Sequence, residues 1–367
     1  MNEGARVATA AVDGDFMRRA LALAEHGWGQ TAPNPLVGAV VVRDGDVVGE
    51  GWHTRYGAAH AEVDALRSAG ASARGATMYV TLEPCVHQGK TPPCTQAILE
   101  AGVQRVVIAH RDPNAIAAGG ATTLAEAGVQ VAFGVEARAA AEQNAEYFHA
   151  LTSDRPFVRL KLAMSLDGAI ADHTRRPGWL TGADARRAVH RLRAGTDAVA
   201  VGIGTAIADD PQLTVREFEP APRVAPARVV FDTSARLPLA SRLVRTAREQ
   251  PVIVVCWAPD PRHAAALEHA GVTLLHAATL SEALVALRQS EIRSVLVEGG
   301  ASIASSFLQD ALVDRLVIFR APLILGGAAL NAFGGVGPYA ASEAPRWRLV
   351  DATRCGDDEM SVYAPAR

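Results

Sequence analysis

No run of about 18 apolar residues occurs in the sequence, so no membrane-spanning helix is expected. The first residues, Met1 to Val12, lack a basic stretch leading into an apolar one, and no secretory signal is read there. A basic excess is missing too: 36 Lys and Arg stand against 39 Asp and Glu, for a net charge of −3. Nucleic-acid-binding surfaces normally show as a strong positive excess, so nucleic acid is not an expected partner. Cysteine is scarce. Cys85, Cys94, Cys256 and Cys355 are four in 367 residues, too few for a disulfide framework. Repeats of about 20–50 residues and low-complexity tracts are lacking, apart from general alanine richness. Together these absences leave a cytoplasmic enzyme as the expectation.

What is present is ordinary for a globular chain: 49% hydrophobic and 20% charged residues. At about 100–200 residues per domain, two domains are expected. A helix is predicted over residues 15–27, with Phe16, Ala20, Leu21 and Ala24 on one face. Residues 36–42 read as a strand, Asp44-Gly45 as a hairpin turn, and Val47-Val48 as the returning strand. A helix over 60–69 stops at Gly70, a strand covers 77–82, and a helix over 93–101 stops at Gly102. A strand at 105–109 and a helix near 136–150 complete a layered α/β pattern. The polar segment Thr152-Ser153-Asp154-Arg155-Pro156 marks the boundary between residues 1–152 and 153–367. Beyond it, apolar strands at 198–201, 229–231, 252–255, 294–297 and 315–319 describe a second α/β domain. Residues 217–227, with Pro220, Pro222 and Pro226, read as a surface loop.

The strongest chemical signal is His60-Ala61-Glu62, followed by Pro84-Cys85 and then Cys94. One imidazole and two thiolates supply three zinc ligands and leave a fourth position for water. Zinc lowers the pKa of such a water from about 15.7 to about 7. Glu62, two residues past His60, can reach that water without ligating the metal, and can carry its proton to a departing amine. Both His60 and Cys94 fall near predicted helix starts, where the positive dipole end favours anions. Alone, His60 is an ordinary histidine, and the two cysteines a redox pair or buried thiols. A purely structural zinc site would not require Glu62. The eight-residue gap between the cysteines departs from the shorter C-x-x-C of the general deaminase signature.

At these residues a family resemblance becomes specific. The run Thr81-Leu82-Glu83-Pro84-Cys85, continuing to Gly89-Lys90-Thr91-Pro92-Pro93-Cys94, resembles the bifunctional deaminase–reductases of riboflavin biosynthesis. Pro33-Asn34-Pro35-Leu36-Val37-Gly38 and Asp112-Pro113-Asn114 are similar to that family as well, and the likeness covers nearly the whole chain. It implies a cytidine-deaminase-like three-layer α/β domain followed by a dihydrofolate-reductase-like α/β domain. It also implies two reactions on a pyrimidine nucleotide. The 2-amino group of 2,5-diamino-6-(5-phosphoribosylamino)pyrimidin-4(3H)-one is hydrolysed off, and NADPH then reduces the ribosyl group to ribityl. By the same resemblance Asn34 and His53 belong near the deaminase substrate, and Lys90 and Asn114 hold its ring or phosphate end. Read alone, Asn34 only shapes a turn between prolines, and Lys90 is a solvated loop charge. A homo-oligomer, dimer or tetramer, is the expected assembly.

In the second half, Lys161-Leu162 and Ser165-Leu166-Asp167-Gly168 resemble the opening of the family's reductase domain. The stretch from Gly202-Ile203-Gly204-Thr205 to Asp209-Asp210-Pro211-Gln212-Leu213-Thr214-Val215-Arg216 matches closely, although its Gly-x-Gly does not complete a dinucleotide fingerprint. Val297-Glu298-Gly299-Gly300 is a strand end running into a helix start, where exposed N–H groups suit a pyrophosphate. The resemblance places Ala163, Trp179, Thr205, Asp209, Thr233, Gly300, Ala301, Ser302, Ile303, Ala304, Ser305 and Ser306 around the cofactor. It places Arg193, Leu213, Arg216 and Glu298 at the substrate, where arginines suit a phosphate through bidentate bonds. Lys161 and Asp209 are the candidate acids for protonating a ring-opened imine; the alternative is a structural ion pair between them. Arg236 is a candidate for the extra phosphate of NADPH.

Four positions and one short run depart from the family's pattern: Asp64 for histidine, Val86 for serine, Ala115 for proline, Pro177 for serine, and Ala118-Gly119-Gly120 for a Gly-basic-Gly run. They leave room for a copy devoted to another pyrimidine-derived metabolite, such as one on an azapteridine pathway. A nucleic-acid-editing deaminase shares the H-x-E and P-C signatures, but the net charge and the second domain argue against it. A non-catalytic zinc module fused to a reductase has no use for Glu62.

Overall fold

The computed structural model describes residues 3–88, 92–176 and 178–366, with side chains from residue 12 onward. The chain divides into two compact units, Met1–Thr152 and Ser153–Arg367.

The first unit runs α1 (Glu3–Ala24), β1 (Gly38–Arg43), β2 (Asp46–Trp52), α2 (Ala61–Ala69), β3 (Thr77–Leu82), α3 (Cys94–Ala101), β4 (Arg105–His110), α4 (Gly120–Glu126), β5 (Gln130–Phe133), α5 (Ala137–Gln143) and α6 (Ala145–Thr152). Its five strands lie in the order β2-β1-β3-β4-β5, antiparallel as far as β3 and parallel beyond. Both faces are covered, which is why the central strands are apolar throughout. On β1, Ala39 and Val41 meet Ala61, Ala65 and Ala69 of α2, while Val40 and Val42 meet Met17, Ala20 and Leu21 of α1. The α1 contact is direct: a Cβ on Gly38 would lie 1.9 Å from the Ala20 carbonyl oxygen. The predicted hairpin forms with Asp44 and Gly45 at φ 53° and 90°, the two left-handed positions of a type I′ turn.

Three differences from the sequence expectation go beyond a residue or two at an element's end. The first helix begins at Glu3 and ends at Ala24, with residues 25–27 tightened into a 3-10 turn. The helix expected near 136–150 is two helices, because Asn144 leaves the helix to bind Leu36, donating to its carbonyl and accepting from its N–H, both at 2.8 Å. The short α4 and β5 were not anticipated.

The second unit runs β6 (Phe157–Met164), β7 (Ala169–Ala171), α7 (Ala183–Ala194), β8 (Ala198–Gly202), α8 (Ile203–Asp209), β9 (Ala227–Phe231), α9 (Arg242–Arg245), β10 (Val252–Cys256), α10 (Pro261–His269), β11 (Thr273–His276), α11 (Leu280–Gln289), β12 (Ser294–Glu298), α12 (Ala301–Gln309), β13 (Arg315–Arg320), β14 (Leu330–Asn331), β15 (Trp347–Cys355) and β16 (Asp358–Pro365). Nine strands form one sheet in the order β11-β10-β9-β8-β12-β6-β13-β16-β15. It is parallel from β11 to β13 and antiparallel in the C-terminal hairpin. Successive strands step outward from β8 to β11, and the chain then returns to lay β12 on the other side of β8. That reversal is a topological switch point, where open α/β sheets leave a crevice beyond the strand ends.

Candidate active sites

In the first unit one strand end and two helix starts converge. β3 runs into Glu83-Pro84-Cys85, His60 is the residue that caps the start of α2, and Cys94 opens α3. His60 Nδ1 lies 3.2 Å from Cys94 Sγ and 3.6 Å from Cys85 Sγ. The three donor atoms fall within 4.8 Å of one another, and no further His, Cys or carboxylate among the described residues joins the group. One nitrogen and two sulfurs so placed fit zinc with a position left open. Accepting from Cys94 pulls the Cys85 thiol down to about 4, against the effect of burial. Donating to Cys85, and burial, push the Cys94 thiol up, while hydrogen bonding to Cys85 raises His60. Glu62 sits in the first turn of α2, 3% exposed and within hydrogen-bonding reach of Cys94. Burial pushes its carboxyl above the ordinary carboxylate range, which suits a group that must take and give back a proton.

Asn34 and His53 are brought together beside this cluster. Asn34 Nδ2 lies 3.2 Å from His53 Nε2, and His53 Nδ1 lies 3.0 Å from the Ala59 carbonyl. Burial holds His53 below the usual histidine range, so it donates to Ala59 and accepts from Asn34. Its ring stands 5.6 Å from that of His60, edge to face. Asn114 sits in the loop after β4, where its side-chain oxygen accepts the Ile116 N–H at 3.1 Å. Lys90 lies outside the described residues.

One residue of this site was missed. Glu83, 5% exposed, accepts the N–H groups of Asp112 (3.3 Å), Gly119 (3.3 Å) and Ala121 (3.1 Å). It ties the loop that carries Asn114 to the segment that leads from β3 to Cys85. The available signal was a charged residue between the apolar strand end and Pro84. The weakened glycine run has a packing role, since a Cβ on Gly120 would lie 1.8 Å from the Pro84 carbonyl oxygen. Asp64 pairs with Arg67 at 2.7 Å, and the Val86 N–H donates to the Ala117 carbonyl.

In the second unit a cavity of about 1440 Å³ opens beyond the ends of β8 and β12, at the switch point. Ala163, Trp179, Thr205, Asp209 and Thr233 line it, as do Gly300, Ala301, Ser302, Ile303 and Ser306 around the start of α12. Ala304 and Ser305 do not. They fall on the buried face of α12, and Ser305 Oγ donates to the Ala301 carbonyl at 2.7 Å. Pro177 lies outside the described residues.

Lys161, Leu213, Arg193 and Glu298 also line the cavity. Arg193 is 9% exposed and three of its N–H groups are committed: two go to Glu298, at 2.5 and 2.9 Å, and one on Nη1 goes to the Thr214 carbonyl at 2.8 Å. Its Nε–Nη2 edge is thus taken by Glu298, which leaves less of the fork for a phosphate than the sequence suggests. Arg216 is exposed and lies outside the cavity lining, bonded to Gln212 at 2.5 Å. Burial would raise Glu298, but the charge and hydrogen bonds of Arg193 outweigh it and hold the carboxyl low. Burial lowers Lys161; Glu298 opposes that shift and Arg193 adds to it. Lys161 makes no ion pair with Asp209 among the described residues. The loop after α8 is strained: Asp210 and Leu213 sit at φ 39° and 54°, conformations that cost a non-glycine residue about 1–3 kcal/mol. Arg236, on the cavity wall, lies 3.5 Å from Asp232.

Residues 11–110 match the family described as the cytidine and deoxycytidylate deaminase zinc-binding region, and residues 156–360 match the RibD C-terminal domain. The riboflavin biosynthesis protein RibD of Aquifex aeolicus is 41% identical over 355 residues, which cover 96% of this chain and 98% of that protein. The chain belongs to the RibD family. The Escherichia coli RibD is 39% identical over 94% of this chain and 96% of its own length. A RibD structure from Acinetobacter baumannii superposes with a TM-score of 0.83 at 39% identity, covering 98% of this chain and all of that one. Like its RibD relatives, this chain is an enzyme of riboflavin biosynthesis, with a zinc-binding deaminase domain and a reductase domain. Neither an editing deaminase nor a copy serving another pathway is favoured by these RibD matches. No helix among the described residues is long and apolar enough to cross a membrane.

Proposed function

We propose that the first unit removes the 2-amino group of 2,5-diamino-6-(5-phosphoribosylamino)pyrimidin-4(3H)-one, and that the second reduces the ribosyl group of the product to ribityl with NADPH. A Thermotoga maritima structure, 36% identical over 98% of this chain, is described as a diaminohydroxyphosphoribosylaminopyrimidine deaminase and 5-amino-6-(5-phosphoribosylamino)uracil reductase. The observation that carries the reading is the meeting of His60, Cys85, Cys94 and buried Glu62 at two helix starts.

His60, Cys85 and Cys94 would hold one zinc ion, which supplies an electrophilic centre that activates water. Glu62 takes the proton from the attacking water and delivers it to the leaving amine. The C–O bond forms first, and the C–N bond then breaks as the protonated amine departs as ammonia. Asn34 and His53 orient the pyrimidine ring, and Lys90 and Asn114 hold its ring or phosphate end. In the second unit the start of α12 would receive the pyrophosphate of NADPH. Thr205 and Thr233 would flank the cofactor, and Arg236 would meet its extra phosphate. NADPH, when bound, supplies the hydride. The acceptor carbon is the ring-opened imine of the ribosylamine, and a proton must reach its nitrogen. Lys161 is the better donor of the two candidates: it is enclosed beside Glu298 and Arg193, and its lowered pKa makes it a stronger acid near neutral pH. Asp209 stands exposed on the cavity rim. Exposed Arg216 is the more available phosphate partner, with Arg193 holding Glu298.

The test is direct. Purified protein given the diaminopyrimidine nucleotide should release one equivalent of ammonia, and added NADPH should then be oxidised in equal amount. Ammonia release without NADPH oxidation would overturn the second half of the proposal.

A further inference from the structure

The loop that follows α8 forms part of the cavity wall through Pro211 and Leu213. Its backbone is in an unfavourable conformation at Asp210 and Leu213, so something must hold it. Asp210 accepts the Arg242 N–H at 2.7 Å, and two side chains of α7 hold the Leu213 end. Residues three apart on a helix share a face, and His190 and Arg193 stand in that relation. Arg193 donates to the Thr214 carbonyl at 2.8 Å, and His190 Nδ1 accepts the Arg216 N–H at 3.3 Å. His190 is 5% exposed. An imidazole accepts at Nδ1 only when that nitrogen carries no proton. The ring is therefore neutral in this structure, with its proton on Nε2.

We propose that His190 is a positioning residue for the reductase: as a neutral acceptor it pins the backbone of Arg216, and on protonation it releases the substrate loop. The charged groups that act on it most strongly are Arg193 on its own helix, Arg216 and Glu217 on the loop, and Glu298 at the end of β12. β15 and β16 also pack on α7, and they meet it through apolar residues: Cys355, Met360 and Val362 lie with Ala185, Ala188, Val189 and Leu192. Burial and the two arginines both disfavour the imidazolium, so release comes below the ordinary histidine range rather than at neutral pH. A protonated ring would turn an N–H toward the Arg216 N–H and set a third positive charge beside two arginines. The Leu213 end of the cavity wall would then lose one of its two pins.

This inference rests on the proposed reductase activity, and the experiment separates the two. Steady-state reduction by the full-length protein is followed from pH 8 to pH 5 with pre-deaminated substrate, while deamination is recorded as the internal control. The KM for the pyrimidine nucleotide should rise about three- to tenfold at the acid end, the scale of one lost neutral hydrogen bond. The kcat should change less. In His190→Gln the amide oxygen accepts the same N–H at every pH, so the acid rise in KM should disappear. In His190→Leu the acceptor is gone, and KM should be raised by a similar factor across the whole range. A wild-type protein that never oxidises NADPH overturns the reductase reading. An active wild type whose acid KM rise persists in His190→Gln, or a His190→Leu variant with unchanged KM, overturns the role of His190.

Discussion

Glu83→Gln tests whether a single buried carboxylate organises the deaminase rim. Glu83 accepts three backbone N–H groups, at 3.1 to 3.3 Å, with both oxygens in use. Glutamine keeps one oxygen. Whichever way the amide turns, its NH2 faces at least one buried N–H, so one or two bonds are lost and a donor meets a donor. Hydrogen bonds to a charged group contribute about 1.5–3 kcal/mol each, and an unsatisfied buried donor costs about 1–3 kcal/mol. These bonds are long, so a loss of about 2–3 kcal/mol is expected for the first unit. At about 2–4 °C per kcal/mol for a domain of this size, its Tm should fall by about 5–10 °C. Calorimetry of the zinc-loaded, full-length protein resolves this, because the reductase transition should not move. The loop that carries Asn114 should loosen as well, raising the deaminase KM while zinc content stays at wild-type level. Glu83→Ala, which strands all three donors, should be worse on both counts. If both variants unfold within about 1 °C of wild type and bind substrate normally, the loop is held by something other than Glu83.

Glu62→Gln should retain zinc and fold but deaminate about 10²–10⁴-fold more slowly, the usual scale of a general acid/base, with reduction of pre-deaminated substrate unaffected; normal ammonia release would remove Glu62 from the mechanism. Lys161→Met should cut reduction and spare deamination. In the wild type, reduction should fall as pH rises through the lowered Lys161 pKa, because the protonated form is the donor, and a Lys161→Met variant with the same basic limb would point to another acid. NADPH should be preferred over NADH in kcat/KM, and Arg236→Ala should narrow that preference; equal use of the two cofactors by the wild type counts against the assignment of Arg236. Zinc removal by a chelator should abolish ammonia release and leave NADPH oxidation intact, and an inhibited reductase would mean that the two units are coupled.

Much of this protein is legible without coordinates. The alternation of apolar strands with amphipathic helices indicates two layered α/β domains, because a sheet buried on both faces must be apolar on both. Asp44-Gly45 specifies its own turn, since its left-handed backbone favours such residues. His60, Glu62, Cys85 and Cys94 are readable because zinc chemistry demands particular donors near helix starts. Tertiary structure decided what depends on partners distant in the chain. Asn144 breaks a helix that its local sequence favours, because Leu36, 108 residues away, offers it two hydrogen bonds. Arg193 reads as a phosphate ligand with both edges open until Glu298, 105 residues on, is seen to take its Nε–Nη2 edge. Ala304 and Ser305 read as cofactor contacts until the phase of α12 turns them inward. Glu83 and His190 gave little signal, because their role is to accept backbone N–H groups, and no side-chain pattern marks where a distant backbone will pass.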